Sequence, residues 1–166
     1  MAATFAWSQS NGAGETITDS IGSINMGSND SANLVPETYP ITAANNSYEF
    51  YLRGKFTGTY TKIDNIQFWK SAGAYVTGET IFWTGSETYT QPVASTSSVA
   101  VGSIPTADPA TANVTIGTSL TGSLYSSGVG TTGSYSDYVV LQTETTSSTP
   151  AGATNIKTYT IQWDEQ

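Results

Sequence analysis

The sequence predicts an all-β chain folded as an antiparallel β-sandwich, jelly-roll or Ig-like, with an extended N-terminal arm. Three observations point there. Ten Tyr, five Phe and four Trp stand in a background of Thr, Ser, Gly and Asn, a mixture of strand formers and turn formers. Helix builders are scarce: there are only five Lys plus Arg, and the alanines are scattered among Gly, Ser and Thr. Apolar residues recur with period 2 in roughly eight or nine short runs separated by turn signals, the spacing of a sandwich. At 166 residues the chain suits one domain, with residues 1–45 as the arm and first strands and residues 46–166 as the sandwich proper.

The first 45 residues are sparse in apolar side chains. Thr4 to Ser8 reads as one short strand, and Glu15 to Ile24 as another, with Ile17, Ile21 and Ile24 as its apolar points. Gly27 to Asn33, before Pro36, reads as turn and loop. The densest β signal begins at Ser47, where Tyr48, Phe50 and Leu52 alternate with Glu49, Tyr51 and Arg53, as in a strand with one buried face. Gly54 and Gly58 flank Lys55, Phe56 and Thr57 and predict a bulge or hairpin bend. Ile66 and Phe68 then alternate with Gln67 and Trp69, Ser71–Gly73 and Thr77–Gly78 mark turns, and Glu79 to Thr84 is a further strand with Ile81 and Trp83 on one side.

Gln91 to Ala112 reads as a long surface connection, because Pro105 and Pro109 lack the N–H a central strand needs. Alternation resumes from Asn113 to Tyr125, followed by a Gly- and Ser-rich stretch, Ser126 to Gly133, expected to be flexible. Tyr135 to Thr146 and Asn155 to Asp164 are the clearest strands, and the loop Ser147 to Thr154 between them suits an antiparallel pair.

The side-chain inventory restricts chemistry. With no His and no Cys, the commonest general base, the most reactive nucleophile and the usual transition-metal ligands are missing, and no disulfide can form. Carboxylate pairs of the glycosidase kind need only Asp and Glu, and Glu49, Asp64, Glu79 and Asp137 are the candidates, read here as solvated strand and loop residues rather than catalysts. No Asp-x-Asp-x-Asp-Gly run offers a calcium loop; Asn29–Asp30 and Asp164–Glu165 come nearest. No catalytic residue, cofactor or metal is therefore expected. A net charge of −8 repels phosphate backbones and anionic lipid, and no run approaches the ~20 apolar residues of a membrane helix, so neither nucleic acid nor membrane is an expected partner. The opening Met-Ala-Ala-Thr-Phe-Ala-Trp-Ser lacks the basic start and apolar run of a secretory signal, predicting synthesis in a cytoplasm. The sequons at Asn29, Asn45 and Asn113 are what an Asn-, Ser- and Thr-rich chain yields by chance.

Aromatics carry the remaining binding potential. Trp83 and Trp163 fall on alternating strands beside apolar neighbours and are expected in the core. Trp69 lies opposite Ile66 and Phe68 in parity and is a candidate for an exposed contact or a second buried face. Phe5 and Trp7 lie in the sparse arm, where an aromatic pair docks on its own domain or on a neighbour; with Trp69 they are the candidate partner-binding residues.

Taken together, the start Met1 to Ser8, the block Tyr48 to Gly58 continuing through Asn65 to Lys70, and the ending Ser136 to Gln142, Ser148 to Gly152 and Thr158 to Glu165 resemble the small β-rich structural proteins encoded among the head genes of tailed bacteriophages, in particular capsid decoration or cement proteins. The resemblance covers the style of nearly the whole chain and carries no diagnostic motif. It implies a non-enzymatic virion protein on the outside of an assembled shell, with the major capsid protein as partner and a homo-oligomer, trimer or dimer, at local symmetry positions. The last hairpin is also similar to bacterial Ig-like surface domains, which are normally exported and often repeated. The competing readings are a carbohydrate- or receptor-binding module of a phage fibre and a tail-tube or tail-completion protein.

Overall fold

The computed structural model of the chain describes residues 3–96, 98–114, 120–121, 134–152 and 154–166. Among them are ten strands and no helix: β1 (Thr4–Asn11), β2 (Thr16–Asp19), β3 (Phe50–Thr57), β4 (Lys62–Ala72), β5 (Glu79–Ser86), β6 (Gly102–Ser103), β7 (Leu120–Thr121), β8 (Ser134–Tyr135), β9 (Tyr138–Thr145) and β10 (Thr158–Glu165). One large sheet has the order β2-β1-β3-β9-β5-β6, with β8 also pairing β3, and a small sheet has the order β10-β4-β7. Every pairing between these strands is antiparallel. The two sheets pack face to face as a β-sandwich, and the core draws from both: Phe50, Leu52 and Phe56 of β3, Ile81 of β5, and Val139 and Leu141 of β9 meet Ile63, Ile66 and Phe68 of β4.

The N-terminal segment is more integrated than an extended arm. Residues 4–19 form a hairpin in the large sheet, with β1 between β2 and β3. The cause is long-range: Phe5 and Trp7 have few apolar neighbours in sequence, but in the fold they pack against the core. Beyond Asp19 the chain has no strand until Phe50, and Ile21 and Leu34 anchor this irregular strap by burial.

Strand β3 is buried on both faces rather than one. Phe50, Leu52 and Phe56 enter the core between the sheets, while Tyr51 and Arg53 are buried on the opposite side of the large sheet. Gly54 makes no bend there, for β3 runs through it in unbroken register with β1. A Cβ at Gly54 would lie 2.7 Å from the Phe5 ring, so the residue is small because an aromatic ring crosses its backbone. Gly73, by contrast, serves its predicted turn: its φ of 91° is open to glycine, and a Cβ would meet the Ile156 carbonyl.

The expected hairpin between the last two strands does not form. Strand β9 pairs with β3 and β5 in the large sheet, and β10 pairs with β4 in the small one, so the loop between them carries the chain from one sheet to the other. The predicted strand Tyr135 to Thr146 is also divided into β8 and β9, with Ser136 bonded to Gly54 through main chain and side chain at the break. The connection Gln91 to Ala112 is not wholly superficial: Ala100 and Ile104 are buried, and β6 closes the edge of the large sheet. Of the predicted alternation through Asn113 to Tyr125, only Asn113, Val114, Leu120 and Thr121 lie within the described residues, and Ser126 to Gly133 lies outside them.

Along β4 the edge away from β10 is completed by an unusual device. The Asn113 side chain accepts from the Phe68 N–H at 2.8 Å and donates to the Phe68 carbonyl at 2.8 Å, while its own main-chain N–H donates to Ile66. A side-chain amide thereby takes the place of a peptide group in a neighbouring strand.

Candidate functional site

Each nominated carboxylate can be placed. Glu49 is buried beneath the loop that follows β5, accepting from the Val93 N–H at 3.0 Å, the Ser98 hydroxyl at 2.8 Å and the Val99 N–H at 2.7 Å. Beside it Gln142 of β9 donates to the Ser47, Val93 and Ser95 carbonyls. Together they pin the 90–100 segment to the sheet, and their hydrogen bonds offset the desolvation of two polar side chains. Glu79 is buried against Lys157, with Nζ–Oε1 at 2.5 Å, and also accepts from the Val76 N–H. This ion pair links the start of β5 to the approach to β10, tying one sheet to the other. Asp64 pairs with Lys62, and Asp137 has an interaction partner of its own.

The acidic dipeptides are likewise tied inward. Asp30 accepts from the Gly12 N–H at 2.8 Å, and burial, opposed by that bond, raises its carboxyl above the ordinary range. Asp164 accepts from Asn65, and Glu165 accepts from the Ala3 N–H with both oxygens. Among the described residues no three His, Cys, Asp or Glu side chains gather into a metal-binding group. The buried Gln9 Oε1 and Asn11 Oδ1 have no hydrogen-bond partner among the described residues.

On the face of the large sheet away from the small one lies a second cluster that parity alone does not reveal. The Arg53 guanidinium carbon sits 4.6 Å from the Tyr135 ring centre and 4.4 Å from that of Tyr138. Its Nε donates to the Ser136 carbonyl and its Nη1 to the Tyr138 hydroxyl, which in turn donates to Glu15 in the β1–β2 turn. Burial first, then the bond to Glu15, holds the Tyr138 hydroxyl well above its ordinary value. Tyr51 packs edge-on against both Tyr138 and Tyr89, and Lys55 joins Asp19 at 2.5 Å. Burial alone would raise the Asp19 carboxyl, but hydrogen bonds from Lys55, Ser8 and Tyr135 outweigh it and hold it low. A cation stacked between rings and locked to backbone fastens the first hairpin onto the sheet.

The three aromatic candidates part company. Phe5 stacks on Trp163 at 5.1 Å and meets Trp7 and Phe56 edge-on, and Trp7 meets Phe68 edge-on, so both serve the interior. Trp83 and Trp163 pack against the same core as expected. Trp69 belongs to neither core cluster; it is half-buried on the outer face of the small sheet, opposite Thr160. The large exposed apolar side chains stand elsewhere, on loops: Val93, Val99 and Val101 over the large sheet, Val35 and Tyr39 on the strap, Tyr75, and Ile156 before β10. Sequence reasoning missed these because isolated valines in Ser- and Thr-rich segments carry no periodicity. No protein-family model, curated protein or solved structure matches this chain.

Proposed function

We propose that the protein is a non-enzymatic viral structural protein that binds the outside of an assembled phage capsid and stabilises it. The observation that carries this reading is the use of the chain's chemistry-bearing side chains as internal ties: Glu49, Glu79, Arg53 and Lys157 are each bonded within the fold. What remains at the surface is a hydroxyl-rich skin whose exposed charges include the acids Glu37, Glu87, Asp108, Asp164 and Glu165, with apolar points at Val93, Val99 and Val101 on one loop segment, and these replace Phe5 and Trp7 as the proposed contacts with the major capsid protein. Binding only to assembled shell adds free energy to the shell and none to its dissociated subunits, so stabilisation follows by mass action. The test is co-sedimentation with mature and unexpanded heads of the encoding phage. Saturable binding to mature heads at a fixed ratio to the capsid protein, weakened by Val99→Asp with Val101→Asp, is the expected result. Absence of binding to either form overturns the reading.

One observation favours a second reading, a glycan- or receptor-binding module of a phage fibre. Trp69 lies outside both cores among Gln67, Thr160 and Gln162, an aromatic side chain with hydrogen-bonding neighbours. Glycan-array binding that disappears in Trp69→Ala would establish it in place of the first.

A further inference from the structure

Gln9 and Asn11 continue the inward row that Phe5 and Trp7 begin on β1, but as carboxamides rather than rings. Gln9 is only 3% exposed, and its Oε1 and the Asn11 Oδ1 are closed off from solvent with no hydrogen-bond partner among the described residues. The Gln9 amide is oriented by its nitrogen, which donates to the Ser31 carbonyl at 3.2 Å, so the oxygen is the atom left over. A buried acceptor without a donor is costly, and two at successive inward positions of one strand call for a shared occupant.

The strap that crosses these side chains brings a carboxylate with it. Asp30 precedes Ser31, and its Oδ2 accepts from the N–H of Gly12, the residue after Asn11, at 2.8 Å. Residues 30 and 31 are thereby fixed to both ends of the amide pair, Ser31 at Gln9 and Asp30 just beyond Asn11. Burial raises the Asp30 carboxyl above its ordinary value despite the bond from Gly12. The chain has five Lys and Arg in all, and each is committed elsewhere: Arg53 to Ser136, Lys55 to Asp19, Lys62 to Asp64, Lys70 to the Gly73 carbonyl and Lys157 to Glu79. A water molecule donating to both amide oxygens would satisfy them but would leave the burial of the acid without compensation, whereas a cation answers both.

We propose that Gln9, Asn11 and Asp30 form a site for a calcium ion, which is held by the two amide oxygens and the carboxylate and clamps the strap to the first hairpin. A donor set made only of oxygen, most of it neutral, suits a hard cation of flexible coordination; Mg²⁺ demands octahedral geometry and keeps its waters, so Ca²⁺ is the better occupant. With a single carboxylate the affinity falls in the weak range, about 0.1–1 mM. The site is independent of the capsid reading, since it concerns the stability of the free chain.

The test is thermal unfolding of the full chain after EDTA treatment, with calcium chloride or magnesium chloride added back. Calcium at about 10 mM should raise the melting temperature by about 4–8 °C, and magnesium by less than half as much. Asp30→Asn keeps the shape, removes the charge and should abolish the calcium shift, while Glu37→Gln, at an exposed acid of the same strap, should preserve it. Asn11→Asp adds a second carboxylate and should tighten calcium at least about tenfold in calorimetric titration, a gain that tests the site even where Asp30→Asn does not fold. Circular dichroism reports the folding of each variant. The proposal is overturned by a melting temperature that calcium leaves unchanged, which would assign the two amide oxygens to a water, or by an equal shift with magnesium. A calcium shift that survives in folded Asp30→Asn, or an Asn11→Asp chain that binds no tighter than wild type, overturns it as well.

Discussion

Strands β3 and β10 have the same length and the same alternating pattern, yet they occupy opposite situations. Strand β3 lies between β1 and β9, with Tyr51, Leu52 and Phe56 wholly buried across its two faces. Among the described residues strand β10 has one neighbouring strand, β4, and one solvated face, with Thr158 and Gln162 exposed. Period 2 therefore reports which residues share a face, but not how many of the strand's faces and edges are covered. That is settled by segments far away in sequence: the loop near residue 90 that closes over Tyr51, and the hairpin that packs onto β3.

The largest contrast is expected in the core. Phe56→Ala should remove about 3–5 kcal/mol of stability, read as a shifted denaturant midpoint, because the ring is fully buried among Phe5 and Trp163. Thr160→Ala on β10 should stay within about 0.5 kcal/mol in the same measurement. Next comes the tether of β10 to the large sheet. Lys157→Met leaves the Glu79 carboxylate buried and unpaired and should cost about 3 kcal/mol, whereas Lys157→Met with Glu79→Leu should recover most of that loss. If the double variant is as unstable as the single, the ion pair contributes more than its desolvation and the tether is stronger than argued. Smaller again, Asn113→Ala exposes the main-chain groups of Phe68 and should cost about 1–3 kcal/mol, with faster amide exchange at Phe68 than at Leu52.

The smallest and most distributed effect is on pH dependence. Burial first of all raises Tyr89, Tyr138 and Tyr159 above the ordinary tyrosine value of 10.0. A raised folded-state value means that their stability contribution is complete below pH 10 and declines as pH rises beyond it. Alkaline titration should show the tyrosinate absorbance of these residues appearing with unfolding rather than before it. Asp19 has the opposite sign: its lowered value gives stability that is present above its ordinary 3.8 and lost as pH falls below that. Unfolding curves across the acid range should show Asp19→Asn flattening that limb.

Much of the architecture was legible from residues alone. The β class, the alternation of Ile66 with Phe68 and of Tyr159 with Ile161 and Trp163, and the burial of Trp83 and Trp163 all follow from local periodicity. What was hidden depends on contacts between distant segments. Gly54 read as an interruption because nothing nearby in sequence reveals the Phe5 ring lying against it. The loop Ser147 to Thr154 looked like a hairpin turn because loop chemistry does not encode which sheet the next strand joins. Asn65 adopts a φ of 51° and sits at an irregularity in β4, letting Ile63 and Ile66 both face the core despite their odd spacing, and no turn dipeptide announces it. The candidate site was not legible in local pattern: the clamp of Arg53 between Tyr135 and Tyr138 brings together residues more than 80 positions apart and required the fold.

The amide of Asn113 has a consequence for where this chain can mature. Asn113, Val114 and Thr115 spell an acceptor triplet for N-linked glycan, and the nitrogen that would carry the sugar is the one that donates to the Phe68 carbonyl. An oligosaccharyltransferase needs that nitrogen free on an accessible chain. Modification and completion of β4 are thus mutually exclusive: a sugar attached before folding would lever Asn113 out of the sheet, and a folded chain would present no substrate at this position.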